Sequence, residues 1–100
     1  MVKHMILWTF KDEINPEEKN TIKKKIKKSL ESLKERISGI IDITVHIDGL
    51  ETSNADFMLD SAFENFDALK NYSSHPEHVE VANTKIKPYV KLRTCFDFEI

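Results

Sequence analysis

The chain has 100 residues, of which 40% are hydrophobic, and its 15 basic and 17 acidic side chains give a net charge of −2. This length fits one domain over residues 1–100, and the composition excludes a disordered chain and lacks the basic balance of a nucleic-acid-binding domain. The single cysteine, Cys95, excludes an internal disulfide, and no apolar run is long enough for a leader or a membrane span. We therefore expect a cytoplasmic protein that binds neither nucleic acid nor membrane.

The first predicted element is a β-strand over residues 2–11, because the residues there alternate and include several β-formers. Neither face of this strand is polar. The two faces carry His4, Ile6, Trp8 and Phe10 on one side, and Met5, Leu7 and Thr9 on the other.

A helix is predicted next, with Asn15 as its N-cap, Pro16 at its first position and Glu18 completing a capping box. Gly39 is expected to end it. Residues 16–37 hold eight basic and four acidic side chains, which indicates that one face of the helix is exposed to solvent. The apolar stripe has helical spacing and consists of Ile22, Ile26, Leu30, Leu33 and Ile37.

Two strands follow, over residues 40–47 and 56–64, separated by a turn at Gly49 and residues 52–54. A short helix over residues 66–72 is interrupted at residues 73–76, and Pro76 starts another helix that stops near Pro88. A last strand covers residues 91–100. One face of the second strand carries Ile41, Ile43, Val45 and Ile47, and one face of the third carries Phe57, Leu59, Ser61 and Phe63.

The order βαββαβ predicts an α+β fold of the ferredoxin-like kind, with both helical layers on one face of a four-stranded antiparallel sheet. The other face then has no covering element in this chain. Its apolar side chains exceed what a monomer usually exposes. We therefore expect a homodimer through the open sheet face, since one two-fold operation covers it.

Residues 71–78 are the segment most suggestive of chemistry. Pro76 at the first helical position makes His78 the third residue of a helix, where the macrodipole disfavours a protonated imidazole. A neutral histidine suits a general base, and the phenol of Tyr72 can donate a hydrogen bond to a carbonyl oxygen. His4 shares an apolar strand face with Ile6, Trp8 and Phe10, so we expect it to point into an apolar space as well.

Each of these residues also has a structural interpretation. His75 and His78 can brace the start of the helix, Tyr72 can be a core aromatic with its hydroxyl at the surface, and His4 can be a satisfied core histidine. Asp97 can be a plain surface acid. His75 and His78 lack a third ligand at suitable spacing, so we expect no metal site, and nothing in the sequence indicates a cofactor.

The segment over residues 2–13, Tyr72, the segment His75-Pro76-Glu77-His78, and Asp97 together resemble the Dabb family, the stress-responsive dimeric α/β barrels. The resemblance covers essentially the whole chain. It implies a dimer whose two sheets close into a barrel, with a pocket between each sheet and its own helices. Plant polyketide cyclases of this family perform cofactor-free ring closure, and their catalytic residues match Tyr72, His78, His4 and Asp97.

The same resemblance implies that Asp97 orients His78. It also implies a pocket lining of Ile6, Trp8, Ile22, Ile26, Leu59, Val81 and Tyr89. Two features depart from the cyclases, because their third-strand histidine is absent from the Asp56-Phe57-Met58 segment and isoleucines replace aromatic residues on the first helix. The pocket is therefore expected to take a different substrate.

The functional expectation is a cofactor-free, cyclase- or lyase-type proton transfer on a small aromatic or carbonyl compound, with His78, Tyr72, His4 and Asp97 as catalytic residues. Two alternatives stay open on the sequence: a non-enzymatic stress-response or scaffold dimer, and a cofactor-free monooxygenase. An open pocket favours catalysis, whereas a pocket filled by Trp8 and Tyr89 favours the scaffold.

Overall fold

The chain folds in the predicted βαββαβ order, with its second helical region divided in two. The computed structural model describes all 100 residues. The elements are β1 (Val2–Phe10), α1 (Pro16–Glu31), β2 (Ile40–His46), β3 (Phe57–Phe63), α2 (Phe66–Ser74), α3 (Pro76–Val81) and β4 (Val90–Glu99). A 3₁₀ turn over Ser32–Glu35 extends α1, and a π-helical turn over Ala82–Ile86 extends α3.

The four strands form one antiparallel sheet in the order β2-β3-β1-β4, which confirms the ferredoxin-like α+β prediction. The first strand is central and pairs with both β3 and β4. Within this register His4 lies opposite Ser61 on one side and opposite Asp97 on the other. The pairing therefore brings an aspartate from the end of the chain beside a histidine from its beginning.

The hydrophobic core lies between the sheet and the helices. Alternation along β1 buries every second side chain against the helical layer, while α1 contributes the stripe that includes Ile26 and Leu30. Phe57 stacks on Trp8 with a ring-centroid distance of 4.9 Å. The other large contributors to the core are Leu33, Ile37, Val45, Leu59, Phe63, Leu69, Tyr72 and Ile86.

The ends of α1 differ in part from the prediction. Asn15 caps the helix, but its side chain accepts from the amide of Glu17 at 3.1 Å, and no side-chain bond from Glu18 completes a capping box. The α-helix ends at Glu31 rather than beside Gly39. The Ser32 hydroxyl donates to the Ser29 carbonyl at 2.8 Å in the last turn, where the tighter 3₁₀ turn takes over.

The second strand contains an irregularity that the sequence pattern did not reveal. The register with β3 shifts between Ile40 and Asp42, so two residues oppose one across the ladder. As a result Ile41 is exposed, although simple alternation placed it on the buried face with Ile43 and Val45.

The two edge strands of the sheet differ in how far their outer edges are covered. The outer edge of β2 is blocked at Val45, whose amide donates to Glu31 at 2.9 Å and whose carbonyl accepts from Lys27 at 2.7 Å. The other edge strand, β4, is exposed along almost its whole length. Unpaired strand edges favour association with another chain, so β4 is the edge available for a partner.

The face of the sheet away from the helices has an apolar and a polar half. The polar half lies on the β2 side of the sheet, where Lys3 and His46 flank Asp60 at 2.6 and 3.6 Å. Lys3 also holds the pKa of the Asp60 carboxyl below its usual range. The apolar half lies on β1 and β4 and consists of Met5, Leu7, Leu92, Phe96 and Phe98, of which all but Met5 are exposed.

None of the helices has the length and apolar character needed to cross a membrane.

Gly39, before β2, cannot be replaced without strain. Its φ of +91° lies in a region that side chains rarely adopt, and a Cβ there would meet the Cβ of Ala68 at 2.7 Å. We expect Gly39→Ala to lower the free energy of unfolding by about 2 kcal/mol or more, measured by urea titration. Gly49→Ala is the control, because its φ is ordinary and the nearest atom to the added Cβ is the Ser53 hydroxyl oxygen, a side-chain atom, at 3.0 Å. Equal losses in the two variants would contradict this account.

Candidate functional site

A cavity of about 400 Å³ lies between the sheet and the end of the helical layer. Side chains of β1, β3 and β4 form its floor, and residues of α1, α2, α3 and the π-helical turn form its walls. Its lining is mostly apolar and consists of His4, Ile6, Trp8, Leu30, Leu59, Tyr72, Ser73, His78, Val79, Ala82, Asn83, Ile86, Lys87 and Arg93.

The break between α2 and α3 positions the polar groups of this cavity. Pro76 starts α3, and His75 before it has an extended backbone that ends one helix and caps the next. The His75 Nδ1 accepts from the Glu77 amide at 3.2 Å. Its ring therefore serves the helix start, which agrees with the structural interpretation of His75.

His78 is fixed across the same break. Its Nδ1 lies 3.1 Å from the carbonyl oxygen of Ser73. Because a carbonyl only accepts, Nδ1 carries the proton and Nε2 is left as an acceptor. Burial lowers the pKa of His78, and the nearby positive charge of Arg93 acts in the same direction. The imidazole is thus neutral at pH 7, chiefly through desolvation.

Tyr72 packs against this imidazole with a ring-centroid distance of 4.3 Å. Its side chain is completely buried, and its hydroxyl has no hydrogen-bond partner. Burial raises the pKa of Tyr72 well above its usual value, so the phenol keeps its proton. The hydroxyl is therefore a buried, unpaired donor on a residue that lines the cavity. The interpretation with this hydroxyl at the protein surface is wrong.

His4 and Asp97 form a second polar pair. The His4 Nδ1 lies 2.5 Å from the Asp97 Oδ1, and His4 is only 4% exposed. The expectation that Asp97 orients His78 is wrong, because strand pairing places Asp97 beside His4 whereas His78 contacts Ser73. Asp97 thus fixes the ring of a different histidine.

Cys95 completes the one cluster that offers metal-ligating atoms. Its Sγ lies 3.7 Å from the His4 Nδ1 and 3.4 Å from the Asp97 Oδ1, and the three ligand atoms lie within 4.8 Å of one another. The nitrogen and the carboxylate already bond to each other. Burial and the neighbouring Asp97 raise the pKa of the Cys95 thiol, so it is not an activated nucleophile.

The predicted lining is only partly correct. Ile6, Trp8 and Leu59 contact the cavity, but Ile22, Ile26, Val81 and Tyr89 do not. Ile26 is fully buried in the core, and Leu30, one turn further along α1, takes the place that was assigned to it. Ile22 and Tyr89 line a separate shallow depression, and Val81 lies in a groove beside Leu33 and Arg36.

Arg93 was not identified from the sequence, although its alternation with Cys95 and Asp97 placed it on the same strand face. The walls formed by Asn83, Ile86 and Lys87 were not identified either. They depend on the π-helical turn over Ala82–Ile86, which has no clear sequence signature.

Comparison with known proteins identifies the family. The family model for Dabb, the stress responsive A/B barrel domain, matches residues 2–100. The chain is a Dabb protein. No curated protein matches its sequence.

Solved structures support the same assignment. This Dabb protein is similar to a dimeric protein of unknown function with a ferredoxin-like fold from Bacteroides fragilis, at 33% identity and a TM-score of 0.91, over 99% of this chain and 95% of that one. It is also similar to the protein At3g17210 from Arabidopsis thaliana, at 25% identity and a TM-score of 0.79, over 100% and 95%. A hydroxynitrile lyase from Passiflora edulis shares the fold, at 13% identity and a TM-score of 0.79, over 99% and 92%.

The unpaired hydroxyl of Tyr72 leads to a stability prediction for this Dabb protein. A buried donor without a partner destabilises the folded state, so removing it relieves that cost. We expect Tyr72→Phe to raise the free energy of unfolding by about 1 kcal/mol, measured by urea titration. The control, Tyr89→Phe, lies outside the cavity and should change stability by less than about 0.5 kcal/mol. A clear loss of stability in Tyr72→Phe would mean that the hydroxyl has a partner in the folded protein.

Proposed function

We propose that this Dabb protein binds a small aromatic or carbonyl compound in the cavity and catalyses a cofactor-free proton transfer next to its carbonyl group. The observation that carries the proposal is the buried, unpartnered hydroxyl of Tyr72, whose ring packs against the imidazole of His78, which keeps Nε2 free. A native fold rarely leaves such a donor unpaired, and a ligand oxygen supplies the missing acceptor.

The two groups have the protonation states that this chemistry needs. The His78 Nε2 removes a proton from the carbon next to the carbonyl, and the electron pair of the broken C–H bond moves toward the carbonyl oxygen as an enolate forms. The Tyr72 hydroxyl donates a hydrogen bond to that oxygen as its negative charge grows. In simple exchange, protonated His78 returns a proton to the same carbon. In a ring closure, the enolate carbon attacks a second carbonyl carbon of the ligand, the electron pair of that C=O bond moves to its oxygen, and protonated His78 gives the proton to this oxygen.

The apolar walls strengthen these interactions. Ile6, Trp8 and Leu59 exclude water from the floor of the cavity, and a hydrogen bond to a developing charge is worth more in such surroundings. Desolvation also keeps His78 neutral near pH 7, so it can accept a proton without first losing one.

His4 and Asp97 have a supporting role in the proposal. Asp97 accepts from the His4 Nδ1 and so orients the ring, whose other nitrogen is free of protein partners. Since His4 lines the cavity, this nitrogen supplies a further polar contact for the ligand. Asp97 acts through His4 as a positioning residue.

The size of the cavity supports a ligand-binding role over that of a scaffold. A volume of about 400 Å³ falls within the range of small-molecule sites. Trp8 forms part of the floor and Tyr89 lies elsewhere, so neither side chain fills the space. The fold also accommodates lyase chemistry, because the Passiflora edulis protein with this fold is a hydroxynitrile lyase.

We further propose that the protein forms a homodimer through the apolar half of the open sheet face. The exposed side chains of Leu7, Phe96 and Phe98 form a contiguous patch on β1 and β4, and the related Bacteroides fragilis protein is dimeric. The polar half around Lys3, Asp60 and His46 needs no such cover, so the contact centres on β4.

Catalysis is tested by deuterium exchange at the carbon next to the carbonyl of aryl ketones in D₂O, followed by NMR. We expect His78→Gln to slow exchange about a hundredfold or more, and Tyr72→Phe to slow it to a similar extent. Because the pKa of His78 lies below 6.5, the wild-type rate should stay level as the pH falls from 8 to 6.5 and decline only below that. Tyr89→Phe serves as the control. Binding without exchange in the wild type, or full exchange in His78→Gln, would contradict the proposed catalysis.

The dimer is tested by placing a charge on the apolar half. We expect Phe96→Asp to shift the mass measured by light scattering from twice the 11.7 kDa chain mass to the monomer value. Phe66→Asp is the matched control, because Phe66 is similarly exposed but lies on α2, away from the open face. A dimeric Phe96→Asp, or a monomeric wild type, would argue against this interface.

A further inference from the structure

The charges around the cavity are all of one sign. Its 14 lining residues include Lys87 and Arg93 but no aspartate or glutamate. The chain as a whole has more acidic than basic side chains and a net charge of −2. Asp97, the nearest carboxylate on the same strand face, is already bonded to His4.

Both cations are free to bind a ligand. Neither Lys87 nor Arg93 lies within 4.0 Å of a carboxylate, whereas Lys91, on the same strand as Arg93, pairs with Asp12 at 2.6 Å. Arg93 lies opposite Trp8 in the β1–β4 register, on the face that carries Cys95 and Asp97. Arg93 thus lines the floor of the cavity, and Lys87 lines its wall.

Arg93 also lies close to the proposed reacting groups. Burial raises the pKa of Tyr72, and the positive charge of Arg93 lowers it. Burial lowers the pKa of His78, and Arg93 lowers it further. Because Arg93, Tyr72 and His78 line the same cavity, one small ligand there can contact all three side chains.

We propose that the ligand carries a carboxylate in addition to its carbonyl group, and that Arg93 binds this carboxylate while Tyr72 and His78 hold the carbonyl. This inference rests on the cavity of the proposed function. The planar guanidinium matches the two oxygens of a carboxylate, and Lys87 adds a second positive charge. The substrate class is then a small oxo acid with an aromatic or other apolar body, which packs against Trp8.

The test uses two compounds of nearly the same shape, of which one is charged and the other neutral, 3-acetylbenzoate and 3-acetylbenzamide, with binding measured by calorimetry. We expect wild-type protein to bind the acid about tenfold more tightly than the amide, since hydrogen bonds between charged groups exceed neutral ones. Arg93→Gln should abolish this preference, and Arg93→Lys should keep part of it. Raising the salt concentration should reduce it as well, because Arg93 is exposed to solvent.

Lys85→Gln is the matched control, because it removes one positive charge close to Lys87 but outside the cavity. The preference for the acid should be unchanged in this variant. Arg93 is exposed, so Arg93→Gln is expected to fold, which a thermal melt checks.

The outcomes separate this inference from the proposed function. If wild-type protein binds acid and amide equally, or if Arg93→Gln keeps the preference, the carboxylate inference is wrong. The proposed ligand site is still supported in that case, provided that Tyr72→Phe weakens the binding of both compounds. If wild-type protein binds neither compound at millimolar concentration, the inference and the proposed ketone site both fail.

Discussion

The central strand β1 is the constraint on which the rest of the structure depends. It is hydrogen-bonded on both sides, so its alternation has one fixed register and each side chain has one fixed face. His4, Ile6 and Trp8 are thereby directed under the helices, where they form the floor of the cavity. Met5 and Leu7 are directed to the open face. Because helices cover only one side of the sheet, the same strand contributes to the site and to the proposed dimer contact.

The site differs from the remainder of the fold in the hydrogen bonding of its buried polar groups. Buried polar groups elsewhere are satisfied, as with the Ser61 hydroxyl, which donates to the His4 carbonyl at 2.7 Å. Tyr72 alone keeps a buried side-chain donor without an acceptor. Proteins keep such locally destabilising groups mainly where function requires them. A ligand that accepts a hydrogen bond from the Tyr72 hydroxyl would remove this destabilisation on binding.

Much of the fold and part of the site could be predicted from the sequence. The helices and strands could be predicted from local sequence patterns, because the alternation of residues 2–10 and the break at Pro76 depend on near neighbours in the chain. The grouping of His4, Tyr72 and His78 around one cavity followed from topology and family resemblance. The partner of Asp97 was missed because it depends on strand register, and a bulge hid the exposure of Ile41. The lining residues that were predicted wrongly depend on the rotation of the helices and on the π-helical turn. Both are determined by tertiary packing.

The position of β4 connects the cavity to the proposed dimer. This strand is an exposed edge with a partner strand on one side only, so by itself it is the least constrained part of the sheet. Yet it carries Arg93 and Asp97 toward the cavity and Phe96 toward the open face. A second copy that packs against Phe96 would restrain the strand and, with it, the inward residues on either side. In the proposed dimer, this packing would hold Arg93 and the pair of His4 and Asp97 in one geometry.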